Sequence, residues 1–386
     1  MLRPLLLVLV SAHINVVQAP SLLLEAVSRL LHRHEGNVFA RLFTAYNRVT
    51  QRLFTSLLVC CNYVPWKPVE IVVHGAEALS ALGPGPCVLT PNHQTQLDWM
   101  YFWIAAARIG AGRDADLRIV LKDSLKNIPI FGWGMHFFSF IFLSRKWDRD
   151  EKTLVERSKF IADNCTSGAG SLILLFPEGT IISPDTLAKS HTFADKAAEG
   201  NLEASKSKGG GRGLANRDNK EEYRATRVLI PRYKALWACL KELSNRRLVS
   251  PGQLSKRLPP CILDVTVAFE PVVDVTKGVY PEKVFSPKHV FLPQWGKAGQ
   301  VPPTRIHFGI ETVSNHEWTH WMDNGNEDEF DGWLKKRWRQ KEVALQMICD
   351  SDGAMFWAPD SRSDTSKALS QLVIPIVPTV MDIVGL

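Results

Sequence analysis

Apolar residues in this chain fall into two regimes. Up to about residue 66 they form long blocks with little alternation. Leu5-Leu6-Leu7-Val8-Leu9-Val10 lies in a stretch from Pro4 to Leu24 that carries no formal charge, and a second block runs from Leu53 to Trp66 behind Arg41, Arg48 and Arg52. His13, Asn15 and Gln18 dilute the first block, and the second falls short of the ~20 apolar residues that a membrane crossing requires. Together they predict an N-terminal membrane-associated helical segment over residues 1–66, the first block an uncleaved anchor and the second interfacial. Arg3, the apolar block and the small residue Ala19 fit a cleavable signal peptide as well.

From Glu70 the pattern changes to short apolar runs alternating with helical segments. The runs predict strands at Ile71–His74, Cys87–Thr90, Leu117–Leu121, Ser139–Leu143, Leu172–Phe176, Val228–Ile230, Ile262–Phe269 and Arg305–Ile310. Helices are predicted at Leu97–Ile109, Glu151–Asp163, Arg232–Leu243 and Glu329–Ile348. Such alternation indicates an α/β fold with a mixed, largely parallel sheet flanked by helices. The α/β domain is expected over residues 67–313, followed by a helical extension and an apolar tail over 314–386 in which Pro375, Pro378 and Asp382 prevent a clean membrane span. Residues 200–227 break the pattern. Their core, Ser205-Lys206-Ser207-Lys208-Gly209-Gly210-Gly211-Arg212-Gly213, has no apolar periodicity and predicts a flexible insertion loop.

Polar residues follow the strands in a consistent way. His93, Lys122, Arg145, Glu178 and Arg232 follow the second to sixth predicted strands. In open α/β sheets, ligands bind beyond the carboxyl ends of the strands, so a mostly parallel sheet would bring these five side chains to one edge. Net charge of +7 and a pI near 9.0 suit an anionic partner. The charges are scattered rather than gathered in a tract, which favours a membrane surface or an anionic substrate and argues against nucleic acid. Seven cysteines, an odd number without a CxxC pair, read as core thiols of a reducing compartment.

The densest chemistry lies in Pro91-Asn92-His93-Gln94-Thr95-Gln96-Leu97-Asp98-Trp99, between an apolar strand and an apolar helix. His93 and Asp98 are five positions apart, a spacing that on a regular helix would face them apart. A turn at a strand–helix junction lets them meet. A carboxylate on one imidazole nitrogen then leaves the other free to accept a proton. The alternative is that Thr95 and Asp98 merely start the helix in the manner of a capping box. A second motif, Phe176-Pro177-Glu178-Gly179-Thr180, closes the Leu172–Phe176 strand with a proline stop and a permissive glycine.

Together, the NHxxxxD element and the FPEGT element resemble the glycerolipid acyltransferase family of 1-acylglycerol-3-phosphate and lysophospholipid acyltransferases. Phe140-Ile141-Phe142-Leu143-Ser144-Arg145 resembles that family's second block, and Val228-Leu229-Ile230-Pro231-Arg232 its fourth. Lys122…Ile128-Pro129…Gly132-Trp133 and Trp333-Leu334…Trp338…Lys341-Glu342 are similar to the branch containing lysocardiolipin and lysophosphatidylinositol acyltransferases. The resemblance runs from about Glu70 to Ile348. It implies the glycerolipid acyltransferase fold, a membrane of the endoplasmic-reticulum type, acyl-CoA as co-substrate and a lysophospholipid as acceptor, of the lysophosphatidic acid, lysophosphatidylinositol or lysocardiolipin type. By the same resemblance His93 is the base, Asp98 its partner, and Arg145, Glu178 and Gly179, with Thr180 of the same motif, line the acceptor site. Many members continue FPEGT with arginine; Ile181 stands here, and that phosphate contact is missing.

The residues suit that chemistry on their own terms. A glycerol hydroxyl needs a base, and a thiolate leaves readily, so neither a serine or cysteine nucleophile nor a metal or cofactor is expected. A lipid phosphate needs cations, Arg145 first and then Lys122 and Arg232. A rival of another class is His316-Glu317-Trp318-Thr319-His320, which spells the HExxH zinc-protease signature. Asp323-Asn324-Gly325-Asn326 ends any helix almost at once, which leaves too short a scaffold for such a site.

Overall fold

A computed structural model of the chain describes residues 38–62, 69–75, 85–109, 113–164, 172–207, 224–244, 260–291 and 301–353, the short strands 248–250, 253–254 and 371–375, Ala78, and scattered positions between 8 and 27. Its centre is an eight-stranded sheet in the order β10-β1-β9-β8-β2-β5-β3-β4. The strands are β1 (Glu70–His74), β2 (Cys87–Pro91), β3 (Leu117–Lys122), β4 (Ile141–Leu143), β5 (Leu172–Leu174), β8 (Cys261–Glu270), β9 (Arg305–Val313) and β10 (Gln371–Pro375). Strands β6 (Leu248–Ser250) and β7 (Gln253–Leu254) form a separate antiparallel pair. Within the large sheet β2 is parallel to both β5 and β8, β3 to β5 and β4, and β1 to β9. Only β8–β9 and β1–β10 pair antiparallel. The sheet is therefore mixed and largely parallel.

Strands buried on both faces explain the near-continuous apolar runs in the sequence. Cys87 and Leu89 of β2 and Leu172 and Leu174 of β5 point into one core, whereas Val88, Ile173 and Leu175 point into the other. The first core is covered by α1 (Val38–Asn62) and α2 (Asp98–Ile109), with Phe54, Trp103 and Phe138 clustering at ring-centroid distances of 5.2 to 5.6 Å. The second is covered by α4 (Trp147–Asn164), α6 (Tyr233–Ser244), α9 (Asn315–Asn324) and α10 (Glu327–Asp350). The remaining helices are α3 (Phe131–Phe137), α5 (Pro184–Ser207) and the short α7 (Pro281–Val284) and α8 (Pro287–Phe291).

The apolar block from Leu53 begins inside α1, where Phe54, Leu58 and Val59 are buried against the domain while Leu42 and Val49 face outward. Arg48 pairs with Asp116 and Gln51 donates to the Leu117 carbonyl, so α1 is also tied to the sheet by polar contacts. Among the described residues no helix is long and apolar enough to cross a membrane. Most of the first apolar block, residues 4–24, lies outside the described residues.

Two expectations need correction. Val228–Ile230 is not a strand: residues 224–232 run as an irregular segment whose amides bond to side chains instead of a neighbouring strand. The expected loop at 200–227 starts later, because α5 continues through Ser207, and Arg227 at its other end is buried and ion-paired to Asp274. Ala188 through Ser207 contains enough alanine, lysine and glutamate to extend a helix despite Gly200, a local preference that outweighs the polar composition. Residues 208–223 lie outside the described residues.

A buried polar chain sits at the β1–β9 side of the sheet. His74 Nε2 lies 3.1 Å from His307 Nδ1, and His307 Nε2 lies 2.8 Å from Glu270 Oε1. Burial, and next the neighbouring His307, lowers the His74 pKa to about 4. A depressed imidazole pKa contributes stability that is complete above the unfolded value near 6.5 and is lost as the pH falls through about 4. Urea denaturation from pH 7 to 4 should show a loss of about 3 kcal/mol from this residue, and His74→Gln should flatten that part of the profile. Parallel profiles for the two proteins would contradict the assignment.

Candidate active site

The carboxyl end of β2 lies mid-sheet, flanked by β5 and β8. Pro91, the last residue of β2, is in register with Val265 of β8. Beyond it Asn92, fully buried, continues the pairing with its side chain: Nδ2 donates to the Val267 carbonyl at 3.1 Å and Oδ1 accepts from the Val267 amide at 2.7 Å. A side-chain amide thus replaces a strand peptide, and the main chain is freed to turn toward α2.

That turn brings the two ends of the first motif together. His93 Nδ1 lies 2.9 Å from Asp98 Oδ2. The Asp98 carboxylate, with no exposed side-chain surface, also accepts from the Gln94 amide at 2.7 Å, from the Thr95 amide at 3.1 Å and from Thr95 Oγ1 at 2.6 Å. Asp98 therefore does both things the sequence left as alternatives, tying the turn before α2 and holding the imidazole. With its Nδ1 hydrogen given to Asp98, His93 keeps Nε2 as a proton acceptor. The ring lies flat on Phe176, with centroids 4.0 Å apart, and 18% of the histidine side chain is exposed.

The second motif holds the first. Phe176 to Gly179 form a turn closed by the Gly179 amide on the Phe176 carbonyl at 2.9 Å, with Pro177 at the second position. Gly179 has φ +71°, and its absent Cβ would meet nothing within 4 Å, so the backbone angle rather than space calls for glycine. From this turn and the residues after it come three contacts to His93. They are the Phe176 ring, the Glu178 carboxylate on the His93 amide at 3.4 Å, and the Ile182 amide on the His93 carbonyl at 3.1 Å.

Glu178 is 3% exposed. Oε1 accepts from Trp338 Nε1 at 3.0 Å as well as from His93, and Oε2 accepts from the Leu229 amide at 3.2 Å. Burial pushes this carboxyl up to about 8, opposed first by the Trp338 bond, then by the two amides and the Lys341 ammonium. All three hydrogen-bonding neighbours are donors, an arrangement that suits the ionised form.

Of the five strand-end side chains, four come from β2, β5, β3 and β4, adjacent parallel strands of the sheet. Arg145 follows β4 at φ +65°, a strained angle for a residue with a side chain, and its Nη2 donates to the Gly179 carbonyl at 3.0 Å. Lys122 ends β3 in register with Leu143, exposed, and two residues along from Leu143 stands Arg145. Arg232 arrives by the irregular segment. Its amide bonds the Pro177 carbonyl at 2.8 Å and its guanidinium lies 5.6 Å from the Phe193 ring, facing solvent. Thr180 is half-buried beside Gly179. The result is a histidine–aspartate pair at the carboxyl end of β2, able to deprotonate a hydroxyl, with exposed Arg145 fastened to the adjoining turn and exposed Lys122 and Arg232 following neighbouring segments.

The only chemistry that sequence reasoning gave helix α10 was a third ligand for the zinc reading (Glu327, Glu329 or Glu342), with no part in acyl transfer, yet it reaches the site three times. Trp338 bonds Glu178. Lys341, buried, donates from Nζ to the Thr90 carbonyl at 3.2 Å, the Val265 carbonyl at 2.5 Å and Asp264 Oδ1 at 2.5 Å. Glu342 accepts from the amides of Thr226, Arg227 and Val228. The signals in the sequence were Lys341 on the apolar stripe of Phe330, Leu334, Trp338, Leu345 and Ile348, and the branch resemblance of Trp338 and Lys341-Glu342.

His316 and His320 sit one turn apart on α9, exposed, with His320 against Trp321 at a ring distance of 4.5 Å. The helix ends at Asn324, capped by Gly325 at φ +65°. Among the described residues no three histidine, cysteine, aspartate or glutamate side chains gather where they could hold a metal ion.

Residues 70–205 match the family model described as Acyltransferase. The chain is 28% identical over 300 residues to an uncharacterized acyltransferase of Schizosaccharomyces pombe, covering 78% of this chain and 70% of that one. It is 28% identical over 312 residues to lysocardiolipin acyltransferase 1 of Gallus gallus, covering 78% of this chain and 64% of the relative. It is 27% identical over 309 residues to 2-acyl-1-lysophosphatidylinositol acyltransferase of Saccharomyces cerevisiae, covering 72% and 64%. The matched region thus spans just under two thirds of the length of the last two relatives. The family match ends before the 224–232 segment and α10.

The buried Lys341 predicts a large stability effect. Lys341→Met keeps most of the apolar stem but takes the ammonium donor from the Thr90 and Val265 carbonyls and leaves Asp264 with Arg337 at 2.7 Å and the Thr90 hydroxyl at 3.4 Å. A loss of about 3 kcal/mol in urea denaturation is expected. A loss below about 1 kcal/mol would show that the ammonium holds nothing together.

Proposed function

We propose, from the acyltransferase domain at residues 70–205, that this chain transfers a fatty acyl group from acyl-CoA to the free hydroxyl of a lysophospholipid at a membrane surface. The observation that carries the reading is the 2.9 Å contact between His93 Nδ1 and the buried Asp98, with Arg145 held on the Gly179 carbonyl of the turn that packs against His93. The lysolipid hydroxyl oxygen attacks the thioester carbonyl carbon, and its proton passes to His93 Nε2. The C–S bond then breaks and the departing CoA thiolate takes up that proton. Asp98 keeps the imidazole in the tautomer that can accept and offsets the positive charge it gains. Arg145, anchored on the Gly179 carbonyl, presents its guanidinium to the acceptor phosphate, with Gly179 and Thr180 beneath it and Lys122 and Arg232 at the rim.

The names of the relatives favour lysocardiolipin and lysophosphatidylinositol as acceptor types, and lysophosphatidic acid stays in the panel. Ile181 in place of an arginine suits a phosphodiester better than a dianionic phosphate monoester, because it offers no second charge beside Arg145. A membrane setting, of the endoplasmic-reticulum type, is supported by the outward-facing Val16, Leu23, Leu42 and Val49 near the N-terminus and by exposed Ile128 and Trp133 following β3. The test is purified full-length protein with labelled acyl-CoA and a panel of lysophospholipids resolved by head group. Transfer to none of them would overturn the reading.

His93→Ala should lower kcat by about 10³-fold with the fold intact by circular dichroism, and Asp98→Asn by about 10² to 10⁴-fold. Folded His93→Ala with full turnover would exclude the mechanism. Arg145→Ala should raise KM for the lysolipid about tenfold with kcat little changed, and Arg145→Lys should recover part of this, since lysine lacks the two-pronged guanidinium. An unchanged KM in Arg145→Ala would move the phosphate site elsewhere.

A further inference from the structure

Helix α10 lies beyond the matched family region, and nothing in the similarity to known proteins gives it a part in the chemistry. Trp338, Lys341 and Glu342 nevertheless occupy one face of it, at spacings of three and four residues. Each grips a different strut of the site. Lys341 holds the last turn of β2 through the Thr90 carbonyl, three residues before His93. Glu342 holds the amides of Thr226, Arg227 and Val228, which presents the next amide, that of Leu229, to Glu178. Trp338 bonds Glu178 itself.

Glu178 is enclosed. Its two oxygens take donors from the first motif, from the 224–232 segment and from α10, and it is 3% exposed. Three of the roughly four acceptor positions of such a carboxylate are taken, and with 3% exposure it presents almost no surface to an acceptor hydroxyl. What it does hold is the His93 main chain, through the 3.4 Å contact to the amide, and this is the longest of its three bonds. The carboxylate stays in place for that contact because the Trp338 indole and the Leu229 amide fix its plane. We infer that Trp338 is a positioning residue for His93, acting through Glu178, and that Glu178 serves this inward role rather than binding the acyl acceptor. The kinetic half of this inference rests on the acyltransferase reading.

The decisive variant is Trp338→Phe, which keeps an aromatic ring in the same fully buried place and a face for the Lys341 ammonium now 4.8 Å from the ring centre, and removes the N–H donor together with part of the indole volume. Glu178→Gln is its counterpart, keeping the shape and turning one acceptor oxygen into an NH2 donor. Two quantities are measured in the full-length protein: turnover with acyl-CoA and lysolipid, and the rate at which diethyl pyrocarbonate modifies His93, read by mass spectrometry of its peptide. Both variants should lower kcat about tenfold or more while KM for each substrate stays within about twofold. His93 should be modified several times faster in each, in protein that circular dichroism shows to be folded at the assay temperature. The double variant should be no worse than the poorer single one, since the two residues act as one unit. A rise in lysolipid KM at constant kcat in Glu178→Gln would place Glu178 at the acceptor and overturn the inference, as would unaltered His93 labelling in Trp338→Phe. Should the wild-type protein transfer no acyl group to any lysolipid, the functional reading falls, while the labelling comparison still decides the role of Trp338.

Discussion

A buried carboxylate must find its donors inside the fold, and the Glu178 carboxylate finds them on three separate stretches of chain. That requirement sets the arrangement of everything around the mouth of the sheet. The turn after β5 has to face the turn after β2, the 224–232 segment has to cross within reach, and α10 has to pack with Trp338 toward the site. None of these pieces is held by secondary structure alone. Residues 224–232 belong to no described helix or strand, and Glu342 and Glu178 supply the acceptors that a neighbouring strand would otherwise have given their amides.

A second buried set works alongside it. Lys341 and Arg337 share Asp264, and Lys341 also donates to the Thr90 carbonyl near the end of β2 and to the Val265 carbonyl in the middle of β8. Where β2 ends beside the middle of β8, one buried ammonium bridges a carbonyl of each strand. Such groups cost desolvation energy on folding, and burial accordingly lowers the Lys341 pKa against the pull of Asp264. Their contribution is geometric: with β2 and β8 held at one height, Asn92 can pair with Val267 and His93 is released at a defined place.

Much of this was legible from local pattern. Short apolar runs located seven of the eight predicted strands, because a strand buried on both faces needs a continuous apolar stretch and these runs are bounded by turn residues. The polar residues after those strands sit at the carboxyl edge, since parallel neighbours bring their ends together. Where reading failed, local preference gave a wrong or incomplete answer. Val228-Leu229-Ile230 has strand composition, but its amides are taken by Glu342, Glu178 and Ser190. Residues 200–207 have the composition of a loop, yet continue a helix that began at Pro184. Polar composition was also a poor guide at Arg227, buried against Asp274 and Glu342 at the edge of what the sequence marks as an insertion.

The sequence by itself determined the chemistry available: one histidine and one aspartate across a strand–helix junction, a proline–glutamate–glycine turn, and cations after several strands. Each of those is a short-range matter of residue type and spacing. Only the tertiary structure decided which way Glu178 faces and that a tryptophan 160 positions further on is its partner. The reason is physical. Periodicity reports which face of an element is apolar, whereas the partner of a buried charge depends on how distant elements are stacked, and a tryptophan on an apolar helix face looks the same whether its indole N–H is satisfied or not.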